Sequence, residues 1–368
     1  MNRKERVNTT FEHREPDIVP ITEMAIDTPI LEAVAGRQFS GPVSLQAQLS
    51  ANRERELSKV EMTVRTYDRL GFDIVFCDLS APDNWEAKAN SDGTMTDEWG
   101  RILTFDSQCK AWVPFRSQFS TPEDVEGFSF PDSNAPGRTF ALEHTKRLAG
   151  EDTAVAAFIR DPFAHVWEMF QVNNFVRWMY ERPSIIRNTI EKMTRFNIDI
   201  IGRVADAGVD FIVSGGDYSE KNGPMVPVKF FREVIFPSLS RQADAAHKTG
   251  LKFVKHSDGN LNPLLEDLSR IVDGLQSLDP TAGMDIGAVK AKYGDKLVLM
   301  GNVAVDTLTF GSRREVVEET KACIRRAAPG GGYILSSSNS WYGGANLENC
   351  LAMVEAGREY GRYPIRID

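Results

Sequence analysis

The feature that most constrains the fold is a series of short apolar runs that alternate with helical stretches along the chain. About eight runs fit buried β-strands, and polar residues gather where the runs end. Parallel strands that alternate with helices are typical of a (β/α)8 barrel, in which all strands end at the same face. The sequence therefore predicts an α/β fold, a single (β/α)8 TIM barrel that forms one domain over residues 1–368, in preference to a doubly wound sheet.

Residues 94–115 interrupt this alternation. Two β-like runs, EWGRILTF and KAWVPF, are joined by the polar residues Asp106, Ser107 and Gln108, which is the pattern of a hairpin. We predict a β-hairpin inserted after the second strand, where it could cover a site. No internal repeat and no linker divides the rest of the chain.

Charge and composition exclude several classes of function. The formal net charge is -9, without a compensating Lys/Arg cluster, which opposes a nucleic-acid footprint. No apolar run approaches the roughly 20 residues of a membrane span, and the amino terminus is polar. The four cysteines are scattered, without a C-x-x-C pair, so a disulfide framework is not expected. We predict a cytoplasmic protein without a nucleic-acid or membrane partner.

The stretch LKFVKHSDGN, residues 251–260, brings the most reactive side chains to a strand end. Its apolar half fits the fifth strand of the predicted barrel, and His256 and Asp258 follow where that strand should stop. In parallel α/β folds ligands bind beyond the carboxyl ends of strands, so this pair is well placed for chemistry. The alternative is structural: His256 bonds to a loop and Asp258 caps the next helix.

Other predicted strands also end in polar side chains. If the barrel is correct, one mouth collects Glu23, Asp78, Asp217, His256, Asp258, Asp279, Asn302 and Asn339. Such carboxylates and an imidazole can bind a divalent ion such as zinc, or they can act as metal-free acids and bases. For Asp217, Asp279 and Asn302 a turn-forming role is the structural alternative.

We assign provisional roles on this basis. Catalytic residues are predicted to be Asp78, His256 and Asp258, and zinc ligands to be Glu23, His256 and Asp258. Contacts with substrate are predicted for Glu23, Asp217, Asn302, Asn339 and Trp341. Trp341 is included because it follows the eighth strand in the glycine-flanked segment SNSWYGGA, although ordinary packing is the alternative for most aromatics.

Several segments make the chain resemble the uroporphyrinogen decarboxylase superfamily. They are REPDIVPI, FDIVFCDLSAP, FFREVIFPSLSRQADAAHKTGLKFVKHSDGN, YGDKLVLMGNVAVDTL and GGGYILSSSN, with NLENCLAMVEAGREYG at the end. In this resemblance Asp78 matches the catalytic-site aspartate of the decarboxylases. Their arginine-rich M-R-Q-A-G-R motif is replaced by MAIDTPI at residues 24–30, and Asn339 or its neighbours stand where they carry a histidine. A polycarboxylate substrate would therefore lose its main cationic anchors.

The superfamily also contains corrinoid-dependent methyltransferases that bind zinc through an H-x-C motif and a later cysteine. His256 matches this motif, but Asp258 replaces the first cysteine and serines at 336–338 replace the second. An oxygen-rich site suits a harder ligand than a thiol. The resemblance implies transfer of a methyl group from an O-methylated small molecule to cobalamin carried by a partner corrinoid protein. The alternatives are a carboxy-lyase that uses Asp78 and a non-catalytic ligand-binding barrel, and a homodimer remains open.

Overall fold

The computed structural model describes residues 1–39, 43–44 and 49–367. Its centre is a curled sheet of seven strands, and each strand pairs in parallel with the next one along the chain. The strands are Ile74–Asp78, Ala154–Arg160, Phe211–Gly215, Lys252–Ser257, Gly274–Ser277, Val298–Val303 and Tyr333–Ser337. The fold is therefore α/β and TIM-barrel-like.

Residues 17–24, whose sequence DIVPITEM predicts the first strand of the barrel, lie between the two edges of this sheet. Ile21 forms a parallel bridge to Leu335 in the last strand, and its carbonyl accepts a bond of 2.8 Å from the amide of Asp73, next to the first strand. The segment makes isolated bridges and not a continuous strand. Pro20 explains part of this difference, because proline has no N–H to give to a ladder.

One end of the curled sheet is filled by aromatic side chains. The rings of Phe76 and Phe211 lie 6.2 Å apart, although the strand Ala154–Arg160 separates their own strands, so they meet inside the curl. Phe11, at the end of helix Arg3–Phe11, lies 5.1 Å from Phe211. This helix closes the end at which the strands begin, which leaves the opposite end for ligands.

Helices cover the outside of the sheet. Their bounds are Arg3–Phe11, Thr28–Ala35, Arg53–Leu70, Pro122–Glu126, Phe140–Ala149, Pro162–Glu181, Pro183–Asp206, Val228–Phe230, Phe236–Lys248, Leu265–Leu268, Ile286–Tyr293, Val305–Phe310, Arg313–Ala327 and Leu347–Tyr360. The sequence after the Gly259-Asn260 turn predicts a helix over residues 261–270, and the structure has only the single turn Leu265–Leu268 there. None of the helices within the described ranges is both long and apolar enough to cross a membrane.

The chain leaves the barrel pattern between the first two sheet strands. Strands Arg101–Asp106 and Ala111–Ser117 pair antiparallel, with Asp106 opposite Ala111, and the short strands Val43–Ser44, Lys88–Ala89 and Met95–Thr96 extend them to a second sheet. The fully buried Arg101 donates to Asp97 at 2.7 Å and to Glu168 at 2.5 Å. Because Glu168 belongs to helix Pro162–Glu181, this ion pair fastens the second sheet to the main fold.

Candidate metal and methyl-donor site

Three side chains that can bind metal meet at the carboxyl ends of two neighbouring strands. Within the part of the chain that the structure describes, ligand atoms of Asp217, His256 and Asp258 all lie within 4.8 Å of one another. His256 is paired in register with Gly215, at the end of the adjacent strand. Since adjacent parallel strands end at the same level, the residues that follow them share one mouth.

His256 is held in an orientation suited to a metal ligand. Its ring is buried, and its Nδ1 hydrogen-bonds to Oε1 of Gln276, the residue opposite His256 on the next strand. With the amide oxygen of Gln276 as the acceptor, Nδ1 is the donor, and the lone pair of the ring is then on Nε2. That Nε2 lies 4.0 Å from Oδ1 of Asp217. Such an outer hydrogen bond commonly fixes the tautomer of a metal-binding histidine.

Asp258 is fixed by three further contacts. Its Oδ1 accepts from the Ser277 hydroxyl at 2.7 Å, and its Oδ2 accepts from the Asn339 amide. Its backbone N–H donates to Oδ1 of Asp217 at 2.9 Å. The pKa of Asp258 is raised to about 6, mainly by burial; the charge of His256 opposes this rise and that of Asp217 contributes to it. The predicted residues Asp217, His256, Asp258 and Asn339 are thus brought together.

The donor set of this cluster fits a zinc-like ion. One imidazole nitrogen and two carboxylates provide three ligands, which is the number that leaves a fourth position open for substrate or water in catalytic zinc sites. Among the described residues, the candidate ligand group contains no cysteine. Its donors are therefore harder than those of a thiol-activating zinc site.

A cavity of about 240 Å³ adjoins Asp258. It is lined by Asp258, Asp279, Thr281, Val305, Asp306, Ser338, Asn339, Ser340 and Tyr342. The carboxylate of Asp279 also accepts bonds from the amide and hydroxyl of Thr281 at 2.9 and 2.8 Å, as expected for a turn former. The cavity is large enough for a small organic group beside the cluster.

Gln276 and Ser277 were not among the predicted site residues. They hold His256 and Asp258 respectively, and both lie in the strand Gly274–Ser277, whose sequence is GLQS. A polar pair at the end of a buried strand is the signal that could have identified them, because a buried polar side chain needs a partner.

Glu23 does not belong to the candidate ligand group of Asp217, His256 and Asp258. Its fully buried carboxylate accepts from the amide and the hydroxyl of Ser337 at 3.1 and 3.0 Å, and from the amide of Met24 at 3.1 Å. Burial raises the pKa of Glu23 to about 8, against these hydrogen bonds, which lower it. Glu23 thereby joins the first segment of the barrel to the last strand, and Asp217 takes the place in the cluster that was predicted for Glu23.

Asp78 ends the first sheet strand and is half-buried. Burial raises the pKa of Asp78, while the charges of Lys59 and Arg160 lower it. Asp78 lies outside the group formed by Asp217, His256 and Asp258.

Asn302 and Trp341 have packing partners away from the ligand cluster. The Asn302 amide donates to the Leu278 carbonyl at 2.7 Å, and its oxygen accepts from Cys323 Sγ at 3.4 Å. Cys323 belongs to the outer helix Arg313–Ala327. Trp341 is fully buried, and its ring lies 5.6 Å from that of Phe72. Neither contact directs these two side chains toward the cluster.

The fold and the cluster define a TIM-barrel-like α/β protein with a candidate ligand site at the carboxyl ends of its strands. The family model for uroporphyrinogen decarboxylase (URO-D) matches residues 107–360, which is more than half of the chain. The protein therefore belongs to the uroporphyrinogen decarboxylase family, and the predicted resemblance is confirmed.

A curated relative is similar over part of its length. The uroporphyrinogen decarboxylase of Anaeromyxobacter dehalogenans (strain 2CP-C) is 26% identical over 187 residues, which are 50% of this chain and 50% of the relative. The chain thus matches about half the length of that protein.

Solved structures show the same fold over nearly the whole chain. A methyltransferase from Methanosarcina mazei superposes with a TM-score of 0.76 at 18% identity, over 98% of this chain and 99% of the other. A B12-independent methionine synthase from Shewanella sp. W3-18-1, in complex with selenomethionine, gives 0.54 at 12% identity, over 93% and 97% of the two chains. At these identities the likeness concerns the fold alone.

Proposed function

We propose that this protein is the methyltransferase component of a corrinoid-dependent system. It takes a methyl group from an O-methylated small molecule and passes it to cobalamin on a partner protein. The observation that supports the proposal most directly is the group of Asp217, His256 and Asp258 at the mouth, with His256 held so that Nε2 is available as a ligand.

The chemistry of the donor set favours an oxygen-linked methyl group. Removing a methyl group from an ether or alcohol oxygen leaves negative charge on that oxygen, which a cation or a proton must neutralise. A zinc-like ion held by Asp217, His256 and Asp258 would supply Lewis acidity at the donor oxygen. Carboxylate-rich sites suit hard oxygen ligands, whereas thiol activation favours thiolate-rich zinc sites.

The residues around the cluster have separate tasks in this proposal. Gln276 holds the His256 ring, and Ser277 and Asn339 hold the two carboxylate oxygens of Asp258. The cavity beside Asp258 receives the body of the donor. Asp78, which matches the catalytic-site aspartate of the decarboxylases and whose pKa is raised by burial, is the residue to which the lyase alternative assigns the chemistry.

The direct test is methyl transfer to a corrinoid protein. Purified protein, a reduced corrinoid protein and a panel of methoxylated aromatics, methyl ethers and methylated amines are mixed, and methylcobalamin is followed by its absorbance. We expect at least one oxygen-linked donor to react, and only when the second protein is present. Release of carbon dioxide from a carboxylated substrate in an Asp78-dependent way, with no methylation of any corrinoid, would instead favour the lyase alternative.

The outer hydrogen bond to His256 has a measurable role of its own. Replacing Gln276 with methionine keeps the side-chain length and removes the oxygen that fixes Nδ1. Loss of such a partner typically costs about 10- to 100-fold in metal affinity, and we expect a loss in that range for zinc. Zinc titration against a competing chelator measures it. Unchanged affinity in a folded Gln276→Met protein would show that His256 is not oriented through this bond.

A further inference from the structure

A buried lysine lies directly beside the ligand cluster and has no part in the function proposed above. Lys255 precedes His256 in the strand Lys252–Ser257 and is fully buried. Its Nζ donates to the Gly216 carbonyl at 2.7 Å and lies 3.3 Å from Oδ2 of Asp161. The same nitrogen lies 3.9 Å from the centre of the Tyr218 ring.

Asp161 and Tyr218 complete a compact network around this lysine. The Tyr218 hydroxyl donates to Oδ2 of Asp161 at 2.8 Å, and the Ser214 hydroxyl donates to the same oxygen at 3.2 Å. Asp161 Oδ1 accepts from the amide of Phe163 at 2.8 Å, which anchors the carboxylate to the start of helix Pro162–Glu181. The network is therefore attached to a rigid element of the fold.

All of these contacts converge on the residues that flank Asp217. Lys255 holds the carbonyl of Gly216, and the amide of Tyr218 donates to the Ser257 hydroxyl at 2.9 Å. The amide of Gly216 donates to the His256 carbonyl at 3.3 Å. The backbone on both sides of Asp217 is thus bonded to the strand that carries His256 and leads to Asp258.

Burying a lysine is costly, and an apolar side chain of similar volume is often at least as stabilising as a buried ion pair. The buried ammonium group of Lys255 is explained if its hydrogen bond is needed to hold the carbonyl of Gly216, the residue before Asp217. We propose that Lys255 is a positioning residue that fixes residues 215–218 so that the Asp217 carboxylate stands beside His256 and Asp258. This inference rests on the ligand cluster of the proposed function.

The test measures metal binding alone, without methyl donor or corrinoid protein. Replacing Lys255 with methionine preserves the length of the side chain and removes the ammonium group. We expect the dissociation constant for zinc, measured by chelator competition, to rise by about 10- to 100-fold, the range found for outer-shell partners of metal sites. Because the assay needs no methyl donor, failure of methyl transfer does not affect its result. Normal zinc binding by Lys255→Met would contradict the positioning role of Lys255 and would not contradict the proposed methyltransferase function.

A double-mutant cycle separates positioning from a general structural effect. If Lys255 acts through Asp217, then Lys255→Met should weaken zinc binding much less in an Asp217→Ala background than in the wild type. Additive effects of the two substitutions, or a zinc dissociation constant within twofold of wild type in Lys255→Met, would overturn the proposal.

Two further variants control for folding. Lys290 is a half-buried lysine whose Nζ also donates to a carbonyl, that of Gly331, which precedes the last strand at the opposite end of the barrel. Lys290→Met should leave zinc affinity unchanged. If Lys255→Met does not fold, Tyr218→Phe decides the question, since it keeps Lys255 and loses only the hydroxyl that holds Asp161. We expect it to weaken zinc binding several-fold, non-additively with Asp217→Ala, and unchanged binding would contradict the proposal.

Discussion

Replacing His256 with alanine should abolish stoichiometric metal binding and slow methyl transfer by at least about 100-fold, since even the loss of an outer partner of a metal site costs 10- to 100-fold. Among the described residues, His256 is the one member of the candidate ligand group that offers a nitrogen, and its ring stands between Gln276 and Asp217. Its removal leaves two neighbouring carboxylates, which on their own favour hard, weakly held ions. Elemental analysis of the purified protein and the methylcobalamin assay measure the two effects.

The matched control is His247→Ala. His247 is an exposed histidine in helix Phe236–Lys248 that hydrogen-bonds to Asp273 at 2.7 Å, at the opposite end of the strands. We expect this variant to bind metal and to transfer methyl groups as the wild type does. Wild-type protein that contains no metal after careful preparation, yet transfers methyl groups, would remove the Lewis-acid role and leave proton donation by a carboxyl group.

Replacing Glu23 with glutamine should remove a marked dependence of stability on pH. Burial raises the pKa of Glu23 from 4.5 to about 8, so the folded protein holds a proton that the unfolded chain releases in this interval. The contribution of Glu23 is fully present below pH 4.5 and is lost as the pH rises toward about 8. Relative to Glu23→Gln, the free energy of unfolding of the wild type should fall by about 1.4 kcal/mol per pH unit across that window.

Urea unfolding at several pH values across the window measures this difference. Ser337 bonds the two carboxylate oxygens of Glu23 separately, its amide at Oε2 and its hydroxyl at Oε1, and glutamine keeps only one of these acceptors. The comparison therefore uses the pH dependence of stability and not its absolute value. Glu54→Gln, a change at an exposed glutamate in helix Arg53–Leu70, serves as the control and should leave the pH dependence as in the wild type. Parallel pH profiles for the wild type and Glu23→Gln would contradict the assignment of a protonated Glu23.

The elements of the fold could be predicted because their signals are local. The amphipathic pattern of residues 184–207 predicts a long helix, which in the structure is Pro183–Asp206, and the strand predicted from Leu251 is Lys252–Ser257. Apolar periodicity and glycine or proline at the boundaries are read directly from neighbouring residues. The prediction of a continuous first strand failed where Pro20 lacks the N–H that a ladder needs.

The sequence by itself determined that the chain alternates strands and helices, that polar residues follow the strands, and that His256 and Asp258 lie two residues apart at one strand end. Which of those polar residues meet was decided only by the tertiary structure. Asp217 reaches His256 because their strands are adjacent, whereas Glu23 is bonded to Ser337, more than 300 residues away in the chain. Strand register and the direction of each side chain set these distances, and both depend on packing between residues that are far apart in sequence.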